Sequence, residues 1–409
     1  MRIALGLLLI ASALLSGQDI AALVGDPKIK AALERVRANE DATIQEQIRI
    51  CEIPAPPFKE EQRGKELERL FREAGLADVR TDRVGNVIGV LRGASAHPNL
   101  VFATHLDTVF PPELSVKVRR EGRVLHGPGI ADNCRGLAVT LSVIRALIAE
   151  RVSFAGTVTF VADVGEEGLG DLRGMKELFD NTLKGQADAF ITLDGGGLGL
   201  NNTGVGSYRY RVTFSGPGGH SFGAFGMANP IHAMGRAIAK IDDIQVSENP
   251  KTTFNVGRVG GGTSVNSIAE EAWMEIDMRS SDKDSLETVR AKIELAVKDS
   301  ARQENERWQQ RSPVAVKLDL VGVRPPGVTS LNAPLVQAAV AATKYFQEDA
   351  PPGESSNDAN YPRSLGIPSI GMGGGGRPQG GHSENESWDS TDSWMGTQRV
   401  LLLIAALVR

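Results

Sequence analysis

The stretch "TFVADVGEEGLGD", residues Thr159–Asp171, carries the pattern that decides the fold: an apolar run that ends in acidic residues. The apolar run predicts a buried strand. Successive side chains of a strand point to opposite faces, so Glu166 and Glu167 diverge unless the chain has already left the strand. Two adjacent carboxylates also repel each other unless a cation lies between them. The pair is therefore either a solvated turn or one half of a cation site.

Several other apolar runs have the same form and end in polar or glycine-rich loops. They are "NLVFATHLD" (99–107), "DAFITLDGG" (188–196) and "SIGMGGGG" (369–376). Helical patterns such as "RGLAVTLSVIRALIAER" (135–151) separate several of these runs. Strands that alternate with helices predict an α/β fold with a mixed, largely parallel sheet flanked by helices.

The pattern changes at Ser207, where "SYRYRVTFSG" alternates like a half-exposed strand. From there to about Arg324 the elements read β-α-β-β-α-β, which predicts an inserted α+β unit of the ferredoxin-like type. "VRPPG" (323–327) reads as the linker back to the first pattern. The predicted organisation is a signal peptide, a catalytic domain in two parts and a lid domain between them. Their bounds are 1–17, 18–206 and 325–409, and 207–324.

Charge and length restrict the class of protein. The chain has 409 residues, with 45 Lys and Arg against 50 Asp and Glu, and a net charge of −5. No basic excess is available for a nucleic-acid or anionic-membrane partner, so neither is expected.

The N-terminus has the pattern of an export signal, because Arg2 precedes an apolar run from Ile3 to Leu15. We expect cleavage near Gly17, export to the periplasm or medium, and no stable membrane span afterwards; an apolar N-terminal helix of the fold is the alternative.

Cys51 and Cys134 could pair in an exported protein. We expect buried free thiols instead.

Polar residues follow the predicted strands of the larger sheet. They are His105, Asp107, Glu166, Glu167, Asp194 and His382, and a further loop presents Asp132. Each has an ordinary explanation alone, as a structural histidine or a turn residue. Ligands of open α/β sheets bind beyond the carboxyl ends of the strands. Two histidines and several carboxylates at that edge are the ligand set of a two-metal hydrolase.

The chain resembles the co-catalytic zinc exopeptidases, which include peptidase T, glutamate carboxypeptidase, acetylornithine deacetylase and succinyl-diaminopimelate desuccinylase. The resemblance runs from about Gln45 to His382. Its motifs are "THLDTV", "GPGIADNCRGLA", "GEEGLGDLRG", "LDGG", "GPGGHS", "GGTSVNSIAEEAWMEIDMR" and "GGHSENE".

The resemblance implies two zinc ions, for which cobalt or manganese could substitute. His105 and Asp194 would hold one ion, Glu167 and His382 the other, and Asp132 would bridge them. The resemblance also implies a cis peptide bond after Asp132.

Further roles follow from the resemblance. Asp107 would orient the imidazole of His105, and Glu166 would be the general base on a metal-bridging water. In the lid, His220 would stabilise the oxyanion. In dimeric relatives the lids pair and this histidine reaches the partner's site, so a homodimer through the lid is expected. The alternative for His220 is a loop residue that caps a local turn.

Asn266 and Arg279 would hold the substrate, Arg279 through a two-pronged contact with a carboxylate. The alternatives are a turn residue for Asn266 and an ion pair with Asp277 for Arg279. Asp194 in "LDGG" is typical of the peptidase T-like branch, so a small-peptide exopeptidase is favoured. An N-acyl-amino-acid deacylase or carboxypeptidase on the same site remains open, as does attack from the amino or the carboxyl end.

The residues are compatible with two other classes of function. "GHSFG" (219–223) matches the nucleophile elbow of serine hydrolases, with Ser221 as nucleophile, Asp277 or Asp358 as the acid and His382 as the base. An elbow needs a strand directly before it and a helix directly after it. Here Gly-Pro-Gly breaks the strand and no helix is predicted before about Pro230. A non-catalytic zinc-binding module is the third class, and any turnover excludes it.

Overall fold

The computed structural model describes residues 19–346 and 351–409. The predicted signal peptide, residues 1–17, lies outside the described residues. Within those ranges, no helix is both long and apolar enough to cross a membrane.

Eleven α-helices lie in the described part of the chain. In chain order they are α1 (Asp19–Gly25), α2 (Pro27–Ala38), α3 (Glu40–Cys51), α4 (Glu61–Ala74), α5 (Cys134–Ala149), α6 (Arg173–Glu177), α7 (Pro230–Asp242), α8 (Lys283–Arg307), α9 (Pro334–Lys344), α10 (Asn360–Ser364) and α11 (Trp394–Val408).

The strands of the same part of the chain form four sheets. In chain order they are β1 (Ala77–Thr81), β2 (Val87–Leu91), β3 (Asn99–His105), β4 (Arg119–Glu121), β5 (Val124–His126), β6 (Thr157–Asp163), β7 (Ala189–Leu193), β8 (Leu200–Gly204), β9 (Gly206–Ser215), β10 (Gly219–His220), β11 (Thr252–Gly261), β12 (Ser267–Ile268), β13 (Glu271–Ser280), β14 (Ala315–Arg324), β15 (Gly327–Val328), β16 (Gly353–Ser355), β17 (Ser369–Met372), β18 (Arg377–Gln379) and β19 (Ser387–Asp389).

The largest sheet has the strand order β1-β2-β6-β3-β7-β17-β8-β15, with β16 beside β8. Its centre, β6-β3-β7-β17, is parallel, whereas β2 and β8 run antiparallel to their neighbours in that centre. The predicted mixed, largely parallel sheet is confirmed. Because the central strands are parallel, their carboxyl ends meet at one edge of the sheet.

Both faces of this sheet are covered. Leu100 and Phe102 of β3 pack in a core with residues of α5 and α11. The alternate residues, Val101 and Ala103, pack in a second core that contains Phe179. Every residue of β3 is buried, which explains the continuous apolar run in its sequence.

A second sheet has the order β11-β13-β9-β14, and all of its pairs are antiparallel. The element order β9-α7-β11-β13-α8-β14 is the predicted β-α-β-β-α-β, and α7 and α8 share a core with the sheet. The sheet begins at Gly206 and ends at Arg324. The lid bounds 207 and 324 lie within one residue of these ends, and the division into domains stays a prediction.

A third, small sheet joins distant parts of the chain. Its order is β18-β19-β5-β4, so residues near 380 pair with residues near 125. This pairing brings the loop of His382 close to the loop of Asp132.

The expectation of free thiols is wrong. Cys51 and Cys134 are both fully buried and form a disulfide, with their Cα atoms 5.3 Å apart. Cys51 ends α3 and Cys134 begins α5, and these two helices pack side by side. The two residues are 83 positions apart in sequence, so their contact depends on tertiary packing that no local pattern reveals.

Candidate metal centre

The first group of ligands lies at the carboxyl ends of two adjacent parallel strands. His105 is the last residue of β3, and Asp194 directly follows β7. The Nε2 atom of His105 lies 3.0 Å from Oδ1 of Asp132 and 3.5 Å from Oδ1 of Asp194. The three side chains can therefore hold one metal ion between them.

The second group uses the other oxygen of the same aspartate. The Nε2 atom of His382 lies 3.3 Å from Oδ2 of Asp132 and 3.1 Å from Oε1 of Glu167. Asp132 thus presents one oxygen to each histidine, which is the arrangement of a bridging carboxylate. The peptide bond between Asp132 and Asn133 is cis, as the resemblance implies.

The donor atoms within each group lie within 4.8 Å of one another. The combination of His105 with Glu166 and Glu167 meets the same distance, so Glu166 lies at the edge of the centre. Imidazole nitrogens and carboxylate oxygens are the donors that zinc and related divalent ions use in proteins. The residues present fit a pair of such ions that share Asp132.

The electrostatics of the two groups also favour cations. Burial, together with the neighbouring carboxylates of Glu166 and Asp132, raises the pKa of Glu167 to about 7, although His382 opposes this shift. Hydrogen bonds to Asp132 and Glu167 raise the pKa of His382 to about 10. Without a metal, protons must therefore balance the carboxylates. Metal ions replace such protons when they bind.

Asp132 itself is held in its charged form. Burial would raise its pKa, but hydrogen bonds with His105 and His382 outweigh burial and hold the pKa well below its usual range. A carboxylate that remains ionised between two nitrogen donors is suited to bridge two cations.

Asp107 contacts the imidazole of His105 through its backbone, whereas its side chain was expected to do so. Its carboxylate accepts hydrogen bonds from the backbone N–H groups of Gly165, Glu166 and Glu167, at 3.0, 3.1 and 2.8 Å. The group that lies against Nδ1 of His105, at 3.0 Å, is the backbone carbonyl of Asp107. The nearer carboxylate oxygen is 3.8 Å from that nitrogen. The backbone of Asp107 therefore orients the imidazole, while its side chain holds the next loop.

These bonds explain the adjacent glutamates. β6 ends at Asp163, and the chain turns at Gly165, which has a φ of 73°. The loop has left the strand before Glu166, so both glutamates can line one cavity, as the structure shows. The solvated-turn alternative is wrong, since both residues are buried.

Glu166 has an unexpected partner. Nη1 of Arg324 lies 2.6 Å from Oε1 of Glu166, and Nη2 of Arg324 donates to the backbone carbonyl of Glu166. Arg324 is buried and ends β14, the strand that leads out of the second sheet. No sequence pattern indicates this pair, because "VRPPG" reads only as a linker.

The centre opens into a cavity of about 620 Å³. Besides Glu166 and four of the candidate ligands, its wall includes Arg209, Arg279 and Arg324. Asp277 accepts from Nε of Arg209 at 3.0 Å and from Nε of Arg279 at 2.8 Å. Arg279 therefore forms the alternative ion pair with Asp277 and lines the cavity as well. Arg209 was missed, because alternate residues of a strand read only as a half-exposed face.

Two predicted residues lie elsewhere. His220 and Asn266 line a separate cavity of about 550 Å³, and it shares no lining residue with the metal cavity. Nδ1 of His220 accepts from the backbone N–H groups of Phe222 and Gly223 at 3.3 and 3.2 Å. Within the described part of one chain, neither residue reaches the metal centre.

The arrangement of a serine hydrolase is not formed. Ser221 follows a strand of two residues, and the next α-helix begins only at Pro230. Asp277 pairs with arginines, and His382 faces Asp132 and Glu167. Among the described residues, no hydrogen bond joins Ser221 to His382.

A family model named peptidase family M20/M25/M40 matches residues 101–406, which is more than half of the chain. The chain belongs to this family. It is therefore a metal-dependent hydrolase, and the resemblance inferred from the motifs is confirmed.

Curated relatives carry several names. The YqjE protein of Bacillus subtilis is 26% identical over 283 residues, which are 64% of this chain and 72% of that protein. The succinyl-diaminopimelate desuccinylase of Nitrosospira multiformis is 28% identical over 239 residues, 53% of this chain and 62% of the relative. This chain thus spans about three fifths of that enzyme's length.

Solved structures share the fold over almost the whole chain. A tripeptidase from Staphylococcus aureus has a TM-score of 0.74 at 21% identity and covers 90% of this chain and 99% of its own. YxeP of Bacillus subtilis, described as a dinuclear metal-binding peptidase, has a TM-score of 0.65 at 16% identity, with 91% and 99% covered.

Substitution of the two adjacent glutamates separates their roles. Glu167→Ala should lose bound metal, because it removes a candidate ligand. Glu166→Gln should keep both ions while its rate falls by about 10²–10⁴, the usual contribution of proton transfer. Metal analysis after dialysis, together with a rate assay, checks both. Near-normal turnover by Glu166→Gln would show that the roles are assigned wrongly.

Proposed function

We propose that this chain is a two-zinc exopeptidase that hydrolyses amide bonds in small peptides, with Glu166 as its general base. The observation that carries the proposal is the pair of histidine–carboxylate groups that share Asp132. His105 and Asp194 would hold one ion, and Glu167 and His382 the other. When bound, such ions supply Lewis-acid chemistry and lower the pKa of water.

Glu166 is placed to move protons at this centre. Arg324 binds its Oε1 atom and its backbone carbonyl, which fixes the carboxylate at the wall of the cavity. No hydrogen bond within the described residues engages Oε2. This oxygen would take a proton from the attacking water and deliver it to the leaving amine.

The arginines would bind the substrate's carboxylate. Asp277 holds Arg209 and Arg279 by their Nε atoms. Nη1 of Arg209 also donates to the backbone carbonyl of Gly168, whereas no hydrogen bond within the described residues engages the Nη atoms of Arg279, which remain for a ligand. Planar guanidinium groups bind carboxylates through two hydrogen bonds. A cavity of about 620 Å³ has the size of small-molecule sites in general and suits a di- or tripeptide.

An N-acyl amino acid is the second candidate substrate. It also ends in a carboxylate that Arg279 could bind, and the desuccinylase relative is named for the removal of an acyl group. A peptide is favoured because Asp194 stands in the position that is typical of the peptidase T-like branch.

A homodimer through the lid would complete the site. His220 and Asn266 line a cavity of their own, beside the exposed side chains of Phe222, Phe225 and Val265. β11 lies at the edge of its sheet and could pair or pack with a second copy. His220 of the partner subunit would then supply the oxyanion contact that one chain does not form.

Export is proposed from the N-terminal pattern. The disulfide between Cys51 and Cys134 supports it, because disulfides persist mainly in oxidising compartments.

Matched peptides with and without a free carboxylate test the proposed contact between Arg279 and the substrate's carboxylate. The zinc-loaded enzyme is given di- and tripeptides, their N-acetylated forms and their C-amidated forms, and products are identified by mass. Arg279→Met should lower kcat/KM for free-acid peptides by about 10–100-fold, because a charged hydrogen bond contributes about 1.5–3 kcal/mol. It should hardly change kcat/KM for the amides.

The control is Arg302→Met, which removes an exposed arginine of α8 that pairs with Glu306. It should behave like the wild type on every peptide. If Arg279→Met lowers kcat/KM equally for free-acid and C-amidated peptides, the proposed carboxylate contact is wrong.

Subunit exchange tests the shared site. His220→Ala and Glu166→Gln chains should each be nearly inactive, since an oxyanion donor contributes about 10²–10³ in rate. Each mixed dimer would contain one complete site. Equal amounts should therefore recover about a quarter of wild-type activity, since random pairing makes half of the dimers mixed.

The matched control for His220→Ala is His232→Ala, which removes an exposed histidine of α7. This variant should be active without mixing with a second variant. No recovery after proven exchange would mean that His220 acts within its own chain or not at all.

A further inference from the structure

Glu386 is a buried carboxylate that none of the roles above uses. It lies four residues after His382 and directly before β19, and it is 1% exposed. Its Oε2 atom accepts from the backbone N–H of Gly129 at 2.9 Å. Its Oε1 atom accepts from the N–H groups of Ala131 at 2.9 Å and Asp132 at 3.2 Å.

The backbone of Glu386 holds the same loop. Its carbonyl accepts from the N–H of Gly127 at 3.0 Å, beside the pairing of β19 with β5. One residue thus accepts four hydrogen bonds from residues 127–132. Among the described residues, no other acceptor bonds to the three N–H groups that face its carboxylate. A buried N–H group needs a partner, so the position of the loop depends on this carboxylate.

We propose that Glu386 is a positioning residue that holds Asp132 where it can bridge two metal ions. The inference rests on the proposed two-metal function. Asp132 is the last residue of the held loop, and the segment that supplies Glu386 also supplies His382. The positions of two candidate ligands of the second group, Asp132 and His382, therefore depend on the segment from His382 to Glu386.

The site requires a group with two accepting oxygens. Glutamine keeps the size of the side chain but replaces one oxygen by an amide NH₂ group. That group would face a backbone N–H donor and could not accept a hydrogen bond from it. Aspartate keeps the charge but is one methylene shorter, so it cannot reach all three donors at their present positions. Both variants should displace Asp132 while every metal ligand remains in the chain.

The experiment titrates cobalt into the metal-free full chain and follows the visible spectrum of the bound ion. Groups that orient metal ligands typically change metal affinity by about 10–100-fold. Glu386→Gln should weaken cobalt binding by that factor and alter the spectrum, because the geometry at Asp132 changes. The matched control is Glu384→Gln, an exposed glutamate of the same loop, which should bind cobalt like the wild type.

Thermal unfolding of the metal-free proteins separates this role from a merely structural one. A Glu386→Gln protein that is less stable but binds cobalt with wild-type affinity and spectrum would overturn the inference. If Glu386→Gln does not fold, Glu386→Asp is held to the same criteria. A wild-type chain that binds no cobalt would instead overturn the proposed function, so the two failures can be told apart.

Discussion

The carboxylate of Asp107 accepts hydrogen bonds from three backbone N–H groups of the loop that carries Glu166 and Glu167, and the second group of candidate ligands depends on this interaction. The carboxylate is fully buried, and burial raises its pKa, although His105 and the backbone donors oppose that shift. By holding the loop off the strand, Asp107 allows two adjacent glutamates to line one cavity. Its backbone carbonyl orients His105 at the same time.

Glu386 makes the same kind of contact with the loop of Asp132. Asp107 and Glu386 are not among the candidate ligands, and each accepts hydrogen bonds from the backbone of a loop that ends in a candidate ligand. A buried carboxylate needs donors or cations around it. The acidic residues of the site divide on this basis, since Asp107 and Glu386 face N–H donors, whereas Asp132, Glu167 and Asp194 lie against the imidazoles of His105 or His382.

The sequence predicted the positions of those site residues that follow directly from the order and direction of the strands. His105 and Asp194 follow adjacent parallel strands, so their meeting follows from the strand pattern alone. Contacts between distant segments carry no such pattern. Arg324 and Glu166 are 158 residues apart and Cys51 and Cys134 are 83 apart, so the ion pair was missed and the disulfide was predicted wrongly. The role of Asp107 was only partly predicted, because a side chain's partner depends on where the next loop turns.

The most direct test of this account is the zinc content of Asp107→Asn beside that of the wild type, measured on folded protein after dialysis against zinc. Asparagine replaces one accepting oxygen by an amide NH₂ group, so it cannot accept hydrogen bonds from all three N–H groups. The loop of Glu167 should therefore shift. We expect two ions per wild-type chain and one in the variant, since the group of His105 and Asp194 does not depend on that loop. Two tightly bound ions in the variant would contradict the account.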